Sequence, residues 1–180
     1  MKNLDNYITE RLKLTSDSLY TCQPKDQLEL MQIIEDRLKQ NKDADLNDID
    51  VSKITNMSYL FWNFVDLDPH NIKIDKWDVG NVTKMNKMFY NCKNINVDVS
   101  EWDVSSVKDM ELMFADCQNF DCDLSGWNVS KVEYMKFMFY DCGKFKGKGL
   151  EKWNTKNVKE MGLMFDFCYS MDRLPDWYND

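Results

Sequence analysis

Little in this chain has the makings of a reaction centre. Its single histidine, His70, sits in a polar Asp68-Pro-His-Asn71 run and reads as a solvated loop side chain. One histidine gives a zinc site little to build on, and the six cysteines include no Cys-x-x-Cys pair. Cys117 and Cys122 lie five residues apart. An acid–base couple needs two carboxylates in unlike surroundings, whereas the acidic residues here are spread at a regular interval. No glycine-rich phosphate loop or nucleophile elbow is present. The reading is a chain that is not an enzyme, with no catalytic, cofactor-binding or metal-ligating residues. The polar residues instead form a column, Asp50, Asp78, Asp103, Asn128 and Asn154, at one repeated position.

That column belongs to a repeat. Trp77, Trp102, Trp127 and Trp153 are spaced 25, 25 and 26 residues apart. Eight residues after each comes Met-x-x-Met-Phe: Met85/Met88/Phe89, Met110/Met113/Phe114, Met135/Met138/Phe139 and Met161/Met164/Phe165. Cys92, Cys117, Cys142 and Cys168 follow seven residues after the first Met. A degenerate first copy has Ile49 for Trp, then Met57, Leu60, Phe61 and Phe64, and Trp177 opens a sixth. A fixed period of this length predicts a solenoid of stacked supersecondary units.

Two elements are expected in each unit. Trp and the residue two later alternate inward as a short strand requires, leaving the Asp/Asn column outward. Val132, Met135, Met138, Phe139 and Cys142 then share one face of a short helix, and Ser52, Ser105 and Ser130 are placed to cap such helices. Ser130 with Glu133 fits a capping box. Strands about 4.8 Å apart and helices about 8–10 Å apart would curve the stack, sheet side concave. The same helical spacing would hold successive cysteines beyond bridging distance. The fold class expected is an α/β repeat solenoid, a curved stack of five strand–short-helix units.

Two surfaces of that stack could bind a partner. The concave face would present Asp50, Asp78, Asp103, Asn128 and Asn154, with Lys152 and Lys156 at one end. The convex face would present Leu112, Phe137 and Leu163, two residues after each first Met, where the other copies have Tyr59 and Lys87, with Tyr134 flanking the strip. Exposed apolar residues aligned in this way need cover by a target or another copy of the chain.

The flanks fit a capped array. Residues 1–45 read as an N-terminal helical cap, with helices over 4–14 (Leu4, Ile8, Leu12) and 26–40 (Leu28, Met31, Ile34, Leu38). The repeats fall near 46–73, 74–98, 99–123, 124–149 and 150–176, within a unit running to 180. A terminal repeat otherwise leaves its core open to water. The net charge of -8 argues against direct nucleic-acid binding through phosphates. No run reaches the ~18–20 apolar residues of a membrane span, so membrane insertion is not expected. The N-terminus lacks the apolar core of a secretory signal, which suggests a cytoplasmic location.

Trp-Asp-Val-Ser, Met-x-x-Met-Phe and the following Cys resemble the BspA-like leucine-rich repeat family, in the branch found in mycoplasma lipoproteins and bacterial surface proteins. The resemblance covers about three-quarters of the chain. It implies a leucine-rich-repeat-like fold and protein binding, in adhesion or host interaction, commonly at a cell surface. The family has no defined catalytic residues to transfer. The leading expectation is a non-enzymatic protein–protein interaction module. The alternative is an acidic inhibitor or nucleic-acid mimic from a phage or mobile element.

Overall fold

The structure, a computed structural model, describes residues 20–179. The helix expected over 4–14 lies outside them. The second expected helix is present as α1, Gln27–Gln40, capped by Asp26, whose carboxylate accepts from the Glu29 amide at 2.9 Å. Its buried face is Leu30, Ile34 and Leu38, whereas Leu28, placed inward by periodicity, is 76% exposed.

The repeats contain neither of their expected elements. Beyond α1, the described residues hold 3₁₀ turns over Trp62–Leu67 and Leu150–Lys152 and isolated parallel bridges, with no continuous strand. The α/β solenoid of five strand–helix units is therefore not the fold, and no leucine-rich-repeat sheet exists to form a concave face. What replaces it follows from the apolar spacing. Leu124/Trp127, Val129/Val132, Met135/Met138 and Phe139/Cys142 are each the first and fourth residues of a turn, closed by an amide-to-carbonyl bond of 2.9–3.1 Å. A spacing of three, read as a helical stripe, here marks turn corners that point into the core.

Left-handed residues keep these turns from winding into a helix. Tyr59, Lys87, Leu112, Phe137 and Leu163 have φ of 61, 56, 57, 57 and 57°. Each is the third residue of the turn that begins at the first Met, where a type II turn demands positive φ. Asn91, Asp116, Asp141 and Phe167, at φ of 60, 63, 54 and 62°, hold the same place in the next corner turn.

Backbone amides then alternate between two jobs. Those of Met88, Tyr90 and Cys92 close turns within their own repeat. Those of Met85, Lys87, Phe89 and Asn91 cross to the carbonyls of Asp109, Glu111, Met113 and Ala115 in the next repeat, each at 2.9 Å. The pattern recurs from Met110, Leu112, Phe114 and Asp116 onto Tyr134, Lys136, Met138 and Tyr140. Parallel bridges accordingly run Asn56, Lys84, Asp109, Tyr134, Glu160, just before each Met and seven residues past the Trp at which a strand was expected.

Side chains stack in the same register. Phe61, Phe89, Phe114, Phe139 and Phe165 lie nearly parallel with successive centroids 5.0, 5.3, 5.7 and 5.8 Å apart. This is ring-to-ring spacing, not the separation of packed helices that was to curve the stack. Each indole N–H donates to a carbonyl of the preceding repeat: Trp77 to Leu46, Trp102 to Ile74, Trp127 to Val99 and Trp153 to Leu124, at 2.9–3.2 Å. The buried thiols of Cys117, Cys142 and Cys168 donate backward to Phe89, Phe114 and Phe139 at 3.0, 2.9 and 2.9 Å. Thus the cysteines ride on turns, and the helix-spacing argument against bridges does not apply; all six are free thiols.

The two ends differ. At the head, α1 buries its face on the first repeat, Gln27 donates to the Ser58 carbonyl at 2.6 Å, and Cys22 bridges to Ile49. Arg37 pairs with Asp48 at 2.9 Å. At the tail, Trp177 stacks on Trp153 at 6.0 Å and donates to the Leu150 carbonyl at 2.7 Å, while Tyr178 meets Phe165 edge-on at 5.0 Å.

Candidate partner surface

The Asp/Asn column is engaged in local structure. Asp50, Asp78, Asp103, Asn128 and Asn154 each accept the amide two residues on, from Ser52, Gly80, Ser105, Ser130 and Lys156, at 3.0–3.4 Å. These are Asx turns, in which a short polar side chain bonds its own backbone two residues on. Ser52, Ser105 and Ser130 are the donors of those turns and cap no helix. Glu133, the other half of the expected capping box, instead pairs with Lys159 at 2.5 Å. Hydrogen bonds from Ser105, through its hydroxyl and amide, hold the Asp103 carboxyl below its ordinary pKa.

Leu112, Phe137 and Leu163 each sit at the left-handed corner of a turn and not on a helix face. Leu112 and Phe137 are half-buried and Leu163 is 36% exposed. Tyr59, the head member of the row, is 37% exposed and meets Trp62 edge-on at 5.6 Å. Beside that pair, a hollow of about 630 Å³ is lined by Leu28, Met31, Asn86 and their neighbours. Tyr134 lies off the row: it is a bridge residue, half-buried, with the Lys159 ammonium 5.7 Å from its ring.

Toward the tail the row widens into aromatic surface. Phe137 meets Tyr140 at 5.6 Å, Tyr140 meets Phe167 at 5.2 Å, and Phe167 meets Tyr169 at 6.1 Å, all edge-on. Phe167 and Tyr169 are 47% and 78% exposed. Sequence reasoning missed both, though the signal was present. Phe167 stands where earlier copies have Asn91, Asp116 and Asp141, and Tyr169 where they have Lys93, Gln118 and Gly143.

The remaining titratable groups have structural neighbours. His70 Nε2 lies 2.9 Å from the Asp68 carboxylate, which also accepts from Asn94 at 2.8 Å. Burial, and then the neighbouring Asp141 carboxylate, push the Asp116 carboxyl up. Burial likewise raises the thiols, Cys92 to about 12 and Cys168 to about 11. Among the described residues, no group of three or more His, Cys, Asp or Glu is placed to hold a metal ion. No helix among them is long and apolar enough to cross a membrane.

Turns of one repeated sequence, stacked by alternate amides and buried aromatic columns, define a repeat protein whose side-chain variation is displayed outward. The family is specific: the chain matches the family described as "Mycoplasma protein of unknown function, DUF285" over residues 29–72 and 63–177, and it belongs to that family. No curated protein and no solved structure matches it.

Proposed function

We propose that this chain is a non-enzymatic protein-binding module that recognises its partner through the left-handed apolar row and the aromatic surface at its tail. One observation carries the reading. In all five copies a non-glycine residue occupies the left-handed position after Met, and four of the five are Tyr, Leu, Phe and Leu. Left-handed backbone costs a residue with a Cβ roughly 1–2 kcal/mol, and glycine would remove that cost. Strained residues of this kind cluster at sites of function, and what bulky side chains add here is outward apolar surface. The neighbouring Phe167 and Tyr169 are of the type that dominates binding hot spots. The BspA-like character of the repeat consensus favours adhesion or host interaction at a cell surface as the setting.

Affinity capture from the native cell is the test, comparing the parent chain with Phe137→Glu/Leu163→Glu. Capture of one protein by the parent and its loss from the variant is the expected outcome. Equal capture by both, with the variant folded, would exclude this surface.

A further inference from the structure

The hollow at the head of the stack is lined by side chains that the repeat consensus does not call for. α1 supplies Leu28 and Met31, the first repeat supplies Asn56, Tyr59 and Trp62, and the second supplies Asn86. Its volume of about 630 Å³ is that of a small-molecule site. Trp62 differs from the other five indoles. Those of Trp77, Trp102, Trp127, Trp153 and Trp177 each donate to a carbonyl of the preceding repeat. The Trp62 N–H donates to no acceptor among the described residues, and its ring is 39% exposed, held edge-on to Tyr59.

The polar floor of the hollow is fixed from below by Ser58, which is buried. Gln27 donates to its carbonyl, and its amide donates to Asn56 Oδ1 at 2.9 Å. Its hydroxyl lies 2.6 Å from the same Asn56 oxygen and 2.5 Å from the Asn86 side chain. One hydroxyl proton cannot serve two carbonyl oxygens, so Asn86 turns its NH₂ to the hydroxyl and keeps its oxygen unbonded. Asn56, with its oxygen committed, keeps an NH₂ that bonds nothing among the described residues. A free donor and a free acceptor therefore stand on adjacent repeats, whose stacked Phe61 and Phe89 rings are 5.0 Å apart. Further along, the place of Asn86 is taken by Glu111 and Lys136, so the amide pair occurs at the head.

We propose that this hollow binds an N-acetylated amino sugar, one or two pyranose rings in size. The acetamido carbonyl accepts from the Asn56 NH₂, and the acetamido N–H donates to the Asn86 oxygen. Its methyl group lies toward Leu28 and Met31, the apolar wall that α1 provides. The apolar face of the pyranose ring covers Trp62, an aromatic that offers both a large apolar surface and a polar N–H. Lys84 and Asp109, also in the lining, balance each other in charge, which suits an uncharged ligand. A peptide running along the repeats would find the amide pair once and then meet Glu111 and Lys136, so a compact ligand fits better than an extended one. Asn56, Trp62 and Asn86 are not members of the partner row, so this site and the protein-binding surface stand or fall separately.

The probe is N,N′-diacetylchitobiose, titrated against the full chain by saturation-transfer NMR. Saturable binding at millimolar concentration is expected, with the strongest transfer to the acetamido methyl protons. Cellobiose, the same two rings without acetamido groups, should bind about tenfold more weakly or worse, because it leaves the amide pair unmatched. N-acetylalanine methylamide, which has the acetamido group and no ring, should not saturate. Trp62→Ala should weaken chitobiose binding by about tenfold or more. Asn56→Asp keeps the oxygen that the Ser58 amide needs and deletes the NH₂, so it should weaken binding several-fold while the melting point holds. Phe167→Ala, at the far end of the stack, should leave binding unchanged. Absence of saturation, equal binding of cellobiose or of the acyclic amide, or indifference to Trp62→Ala and Asn56→Asp would overturn the proposal.

Discussion

At the scale of single residues, several positions are fixed by one neighbour each. Gly149 has φ of 90°, and a Cβ there would lie 2.2 Å from the Ser125 backbone nitrogen. Gly149→Ala should therefore destabilise the chain by about 2–3 kcal/mol or more in urea melts. Gly80→Ala, whose Cβ would meet nothing closer than Asp78 Oδ1 at 3.4 Å, should be tolerated. The thiols divide by burial: Cys22 is partly exposed and the other five are buried. Thiol titration should modify one cysteine quickly in the native protein and five only after denaturant, because buried surroundings disfavour the thiolate. Fast modification of all six would contradict the packing described. Asp116 is the acid whose carboxyl is raised, by burial and by Asp141. An acid with a folded pKa above its unfolded value binds more protons when native, so stability falls as pH rises through that folded pKa. Asp116→Asn should thus be more stable than the parent at pH 7, and the gap should close as pH falls toward 4. A gap that is constant with pH would remove ionisation of the buried carboxyl beside Asp141 as its cause.

At the scale of elements, the period was legible and the element type was not. Trp, Met, Phe and Cys columns are visible because large apolar residues have few ways to be buried, and they stack in the structure at the register the sequence shows. The helix reading failed because residues three apart satisfy both a helical face and the corners of a turn, and periodicity alone does not separate them. The deciding feature, left-handed backbone at Leu112, Phe137 and Leu163, leaves no signature when the residue is not glycine or asparagine. The strand reading failed for a related reason: Trp127 and Val129 do both point inward, but the bridge forms at Tyr134. Turn and helix agree about which side of Met lies away from the core, where Leu163 is 36% exposed and Leu112 and Phe137 are half-buried. The Asp/Asn column repeats in register, but its side chains are turned onto their own backbone, a use that composition does not reveal. Indole burial gives the element-scale prediction. Trp127 is 4% exposed and bonded to Val99, so Trp127→Ala should cost about 3–5 kcal/mol. Trp177, half-buried at the tail, should cost less when replaced. The opposite order in denaturant melts would contradict the stacking of repeats.

At the scale of the whole molecule, one sequence pattern serves two ends. Inward residues repeat almost without change, so the stack is held by like side chains meeting like. Outward residues drift from copy to copy and become apolar and aromatic toward the tail. On the function proposed above, the left-handed row is there for its surface and contributes little to the core. The most direct measurement replaces Leu112, Phe137 and Leu163 together by glycine and reads both the denaturation midpoint and capture of the partner. Glycine relieves the left-handed strain and adds backbone entropy to the unfolded chain, two effects of about 1 kcal/mol per residue that oppose each other. A midpoint close to that of the parent, together with loss of capture, is the predicted result. Capture that survives, or a stability loss of several kcal/mol, would show that these side chains are core and that the partner binds elsewhere.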